Sequence, residues 1–149
     1  MPTAGRLVAA ILFAALFWGA SQLALPLYRL AEEAEPRAFT LVNIGVAIVF
    51  GWRLGGARAG SHSWSGAIGQ GLTTLVATTF AALFVHGGIR MTELSLRKVY
   101  DGPSEAVIAV FGLMIDIGRT AAVSEVVTLL LAGSVIAGLV VEWVGRRFN

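Results

Sequence analysis

LVAAILFAALFWGASQLALPLY, residues Leu7–Tyr28, runs for 22 positions without a charge. An α-helix rises 1.5 Å per residue, so this run reaches about 33 Å, enough to cross a hydrocarbon core of about 30 Å. Three more uncharged runs follow, Ala38–Trp52, Ala59–Ile89 and Val126–Val141. The apolar part of the third begins near Ile68 and is long enough to span. The fourth becomes long enough if it starts at Ala121 and accepts Glu125 in its first turn. The second, taken as Ala38–Leu54, is marginal and contains Asn43. The pattern predicts an all-α polytopic membrane protein, a single membrane domain over residues 1–149, with four transmembrane helices at residues 7–28, 38–54, 67–89 and 121–144.

Composition supports this class and removes others. Hydrophobic residues make up 56% of the 149 positions and charged residues 13%, where soluble domains carry about 25% charged. Twenty charges cannot coat a soluble globule of this size, and the apolar excess is the opposite of a disordered composition. Without cysteine there are no disulfides, thiolate metal sites or thiol redox chemistry. Eleven Lys+Arg against nine Asp+Glu leave a formal charge of +2, so the basic pI is no argument for nucleic acid.

A fifth apolar segment, Ala106–Ile115, lies between Glu105 and Asp116. As a helix over Glu105–Ile117 it reaches about 20 Å, too short to span. It is expected as an interfacial or re-entrant helix over residues 103–118, packed against the bundle. Asp101-Gly102-Pro103 is its leading turn, Pro103 suits a first helical position, Glu105 complements the N-terminal dipole, and Gly118 is the expected stop. The N-terminal run is longer than a signal-peptide core and is expected as a retained span. With four spans, one side carries Arg6, Arg53, Arg58, Arg146 and Arg147, the other Arg29, Arg37, Arg90, Arg97, Lys98 and Arg119. The positive-inside count is therefore nearly even. Both termini inside is the favoured topology, and a five-span model with the N-terminus outside stays open.

Helices in lipid associate through close packing and polar contacts, because lipid is as apolar as leucine. Small residues at four-residue spacing mark the expected packing faces: Ala47, Gly51 and Gly55 in span two, Gly133 with Ala137 and Ser134 with Gly138 in span four. Packing inside one chain is the favoured role, contact with a second copy or a larger complex the alternative. Thr74 and Thr78 share a face and can bond across to a neighbour or back to their own helix. Trp52, Trp64 and Trp143 fall near expected span ends and Trp18 nearer mid-span, and interfacial anchoring is favoured over ligand stacking.

Ionisable residues at membrane depth are the functional candidates. Glu125 leads, about one turn inside span four, where it could bind a proton or cation or pair with Arg119; a carboxylate stabilised at a helix N-terminus is the competing reading. Asp116 and Arg119, three apart, are expected to pair with each other, as are Glu93 and Arg97, four apart. Glu142 and Arg146 are expected to form a surface pair at the last membrane exit. His62 and His86 lie at opposite ends of span three, roughly 30 Å apart along the helix, and cannot share a metal. Each is read as an interfacial histidine. No phosphate-binding glycine loop, His-Glu-x-x-His or Gly-x-Ser-x-Gly occurs. No catalytic residue, cofactor or metal is therefore expected, and the expected partner is the lipid bilayer.

The chain resembles the TrgA-type tellurite resistance family of small bacterial inner-membrane proteins. The likeness is carried by the opening MPTAGRLVAAILFAAL, by Val42-Asn43, Gly51-Trp52-Arg53 and Arg58-Ala59-Gly60, and most clearly by Ser95-Leu96-Arg97, Tyr100-Asp101-Gly102-Pro103 and Glu105-Ala106. Val110-Phe111, Glu125-Val126, Glu142-Trp143 and Arg146-Arg147 complete it, whereas Glu32-Glu33-Ala34-Glu35 matches least. The resemblance implies an association with tellurite resistance and supplies no catalytic residues. Tyr100, Asp101, Gly102 and Pro103 read as a rigid corner that positions the short helix. Lacking cysteine, the chain cannot reduce or capture tellurite through thiols, and no span centre offers Lys or Arg to an anion. Two functions remain: a non-enzymatic resistance protein acting in transport or envelope protection, or a non-catalytic accessory subunit of a respiratory or photosynthetic membrane complex.

Overall fold

The computed structural model describes residues 3–31, 36–61, 63–97 and 102–148. They form α1 (Ala4–Ala31), α2 (Pro36–Phe50) running into a π-helical turn (Gly51–Gly55), α3 (Trp64–Leu96), α4 (Pro103–Ala121) and α5 (Ser124–Phe148). Four segments, Ala4–Leu27, Arg37–Gly55, Trp64–Leu96 and Ser124–Phe148, are long and apolar enough to cross a membrane. The protein is an all-α, multi-pass membrane protein.

The direction of each helix follows from which residues touch. Ser21 of α1 meets Asn43 of α2, while Ala9 and Ala10 of α1 lie against Gly51, so α1 and α2 are antiparallel. His86 of α3 meets Asn43 and Gln70 meets Leu54, so α3 opposes α2. Along α5, Gly133 faces Leu16 of α1, Gly138 faces Ala67 and Gly71 of α3, and Gly145 faces Ala59 and Gly60. The start of α1 and the end of α5 thus share one end of the bundle with residues 56–61. An even number of crossings is the simplest account, and the five-span alternative, which would separate the two chain ends, is set aside.

Packing is the reverse of a soluble core. Large apolar side chains such as Ile11, Leu41, Val76, Phe80 and Ile136 point outward, where lipid solvates them. The interior is built from Phe13, Leu16 and Phe17 against small residues: Ala9, Ala47, Ala67, Ala137, Thr74, Thr78 and Ser134 are buried. Hydrophobic burial cannot hold helices together in lipid, so small residues that let backbones approach do so instead. The tightest crossing is α3 on α5, where a Cβ at Gly71 would collide with Ser134 O and one at Gly138 with Ala67 O. Gly51 and Gly55 close on Ala9 and Phe13 of α1, Gly133 closes on Leu16, and Ala137 joins the Phe13–Leu16–Leu75 cluster. The expected small-residue faces are therefore consumed within one chain. Thr74 and Thr78 bond back to Gln70 O and Thr74 O, 2.8 and 2.7 Å away, rather than across.

α4 begins as its turn chemistry predicts, with Gly102 as cap, Pro103 at its first position and Glu105 in its first turn. It does not stop at Gly118. That glycine packs at ordinary distance on Leu83, the helix runs on to Ala121, and the break falls at Ala122, whose ψ of 51° leaves the helical region. Val110 and Met114 contact Gly87 and Gly118 contacts Leu83, so α4 lies antiparallel on the C-terminal half of α3. A short link, Ala122-Val123, then leads into α5. Tyr100 and Asp101 lie outside the described residues, and of their motif only Gly102 and Pro103 are placed.

Candidate functional site

Three polar residues, one from each of three spanning helices, meet inside the bundle. Ser21 Oγ donates to Phe17 O at 2.7 Å, one turn back on α1. Asn43 Nδ2 of α2 donates to Ser21 Oγ at 2.9 Å. Asn43 Oδ1 lies 3.0 Å from His86 Nε2 of α3. All three residues are buried. Asn43 sits six residues beyond Arg37, about 9 Å of helix toward the bundle interior.

The proton directions in this chain follow from one hydrogen. A hydroxyl has a single proton, and that of Ser21 is committed to Phe17 O. Its oxygen can then only accept, so Asn43 presents its amide NH₂ to Ser21 and its carbonyl to His86. A carbonyl oxygen only accepts, so Nε2 of His86 carries a proton and donates. Phe39 stacks on the imidazole with ring centroids 4.7 Å apart and planes at 23°, which fixes the ring about its own axis. The hydrogen-bonding capacity of each link is used in one direction.

The centre lines one wall of a cavity of about 70 Å³. Leu83, Ile117, Ala121, Val126 and Leu130 also line it, so α3, α4 and α5 contribute to its walls. Apart from Ser21, Asn43, Thr79 and His86 its lining is apolar. The volume fits a few water-sized groups.

His86, expected as interfacial, is buried against α2 within the bundle, four residues before Arg90. His62 lies outside the described residues. Glu125, the leading candidate from the sequence, is exposed in the first turn of α5 and accepts from Ser124 Oγ at 3.0 Å. Its position is that of a carboxylate at a helix N-terminus, and it does not line the cavity that Val126 lines. Asp116 and Arg119 are both exposed, and among the described residues they make no ion pair with each other. Glu93 pairs with Arg90 at 3.1 Å instead of with Arg97, the residue that follows α3 and caps it through its backbone N–H.

A second buried polar cluster lies at the opposite end. Glu142 and Arg146 pair as expected, Nε to Oε1 at 2.9 Å, yet the pair is not a surface one: Glu142 is 2% exposed. Its other oxygen accepts from the backbone N–H of Gly60 at 2.9 Å. Gly60 has φ +87° and lies against Gly145, so a side chain there would be strained as well as obstructed. Arg146 in turn rests on the Trp64 ring, 4.7 Å from its centroid. This cluster clamps residues 56–61 to the end of α5.

Among the described residues no group of three or more His, Asp or Glu could hold a metal ion. Neither family models, nor curated proteins, nor solved structures match the chain.

Proposed function

We propose that the chain is a non-enzymatic bacterial inner-membrane protein of the TrgA type, contributing to tellurite resistance by protecting the envelope rather than by carrying the oxyanion. The observation that supports this reading is the Ser21–Asn43–His86 centre and its cavity. An oxyanion needs cations or many donors along its path. The cavity offers about 70 Å³, a mostly apolar lining and no Lys or Arg. Ser21 is also no nucleophile waiting for a base, since its proton is held by Phe17 O and an amide separates it from the imidazole. The resistance link itself rests on the Tyr100-Asp101-Gly102-Pro103 motif and the in-order likeness described above.

The test is survival on tellurite of cells with the gene deleted, restored, restored as His86→Leu and restored as Glu125→Gln, with membrane levels of each protein measured. Restoration by the unmodified chain and by Glu125→Gln, with loss at normal membrane level for His86→Leu, is the expected result. Equal survival of the deleted and restored strains sinks the resistance reading.

The accessory-subunit reading loses its sequence motive, because the glycine faces are filled internally. What favours it is α4, whose outer face exposes Val107, Ile108, Phe111 and Ile115 on a helix that also carries Glu105, Asp116 and Arg119. Migration of the gently extracted protein in a large native-gel species would support it.

A further inference from the structure

We propose that the end of the bundle formed by the π-helical turn, residues 56–61 and the C-terminal turn of α5 binds the phosphate of an anionic phospholipid headgroup. Five of the eleven Lys+Arg, namely Arg6, Arg53, Arg58, Arg146 and Arg147, belong to segments that the fold gathers here, while Glu142 is the sole carboxylate side chain among them. The other eight carboxylates lie elsewhere in the sequence. Contacts do the gathering: the Arg6 backbone lies against Gly56, and Gly145 against Ala59 and Gly60. Glu142 does not face this surface as an open charge, being buried and committed to Gly60 N–H and Arg146. Arg53 and Arg58 are exposed and make no ion pair among the described residues.

Depth is set by tryptophan. Trp64 and Trp143, each 50% exposed, are of the type that settles at the headgroup level. Arg146 and Arg147 lie over those rings at 4.7 and 5.8 Å, which puts guanidinium groups at that same level. The platform is rigid: Gly56 N donates to Gly51 O, Ala57 N to Leu54 O and Ser61 N to Arg58 O, and Gln70 Nε2 also donates to Leu54 O. Guanidinium recognises phosphate through paired N–H donors, and a preorganised set at headgroup depth fits a lipid phosphate better than a soluble one. The proposal is independent of the tellurite reading. It also assigns this face to the cytoplasmic leaflet, whose anionic lipids attract juxtamembrane arginines.

The full chain in a neutral detergent, titrated separately with phosphatidylglycerol, phosphatidylcholine and inorganic phosphate, supplies the test, with bound lipid counted by native mass spectrometry. Retention of phosphatidylglycerol over phosphatidylcholine is expected, weakened about fivefold for each of Arg53→Gln and Arg58→Gln and unchanged by Arg90→Gln with Arg97→Gln at the other end. Lysine at positions 53 and 58 should restore part of the affinity. In the unmodified protein, retention should fall as salt is raised, which keeps the test decisive even if a variant folds poorly. Equal retention of the two lipids, or a loss confined to the Arg90 and Arg97 variants, overturns the proposal. Full displacement of phosphatidylglycerol by inorganic phosphate would overturn the assignment to lipid.

Discussion

The two buried polar clusters sit at opposite ends of the same bundle and are built on different principles. Ser21–Asn43–His86 is a chain of single hydrogen bonds between spanning helices, buried inside the bundle. Glu142–Gly60–Arg146 centres on a carboxylate and holds a loop to a helix end, where Arg146 still reaches the surface. Single links between spanning helices stabilise little, because the separated helices find other partners in the bilayer. A buried carboxylate is different, since removing its partner leaves a desolvated charge. The loop-side cluster should therefore dominate stability, and the interior centre should matter more to what the protein does than to whether it folds.

Mutations can break or sharpen this contrast, each read as unfolding free energy in micelles. Gly60→Ala should have the largest effect, about 3 kcal/mol, because the left-handed backbone is strained for alanine and the new Cβ has no room. Glu142→Gln should cost about 2 kcal/mol, the scale of a hydrogen bond to a charged group. Asn43→Leu removes two interhelical bonds and should cost about 1 kcal/mol. Ser21→Ala, which removes one, should cost about 0.5 kcal/mol. If Asn43→Leu proved more damaging than Glu142→Gln, the ranking of the two ends would be reversed.

The spans were legible because the hydrocarbon thickness imposes a length that charge-free runs must meet, and Leu7–Tyr28 meets it without help. The small-residue faces were legible from spacing alone, although only the fold shows that Gly71 and Gly138 meet each other. The turn into α4 was readable in Gly102 and Pro103, but its end was not, since Gly118 can continue a helix once Leu83 fills the space beside it. The interior centre escaped for a geometric reason. Counting from the expected span end at residue 89 places His86 near an interface, and only the fold shows that Asn43 and Phe39 of α2 enclose it. The available signal was that Ser21, Asn43 and His86 are polar interruptions of three separate apolar runs, and such residues need partners. Glu142 and Arg146 showed their pairing through four-residue spacing, while the burial came from Gly60, 82 positions away. The depth of Glu125 depended on where α5 begins, and it begins one residue before, at Ser124.

The proton on His86 tests the interior centre most directly. Nitrogen-15 spectra of the imidazole in bilayers, with His62 replaced to remove its signals, report which ring nitrogen carries hydrogen. The account predicts a proton on Nε2 whose shift moves when Asn43 is replaced by leucine. A histidine protonated on Nδ1 alone, with a spectrum indifferent to Asn43, would contradict it.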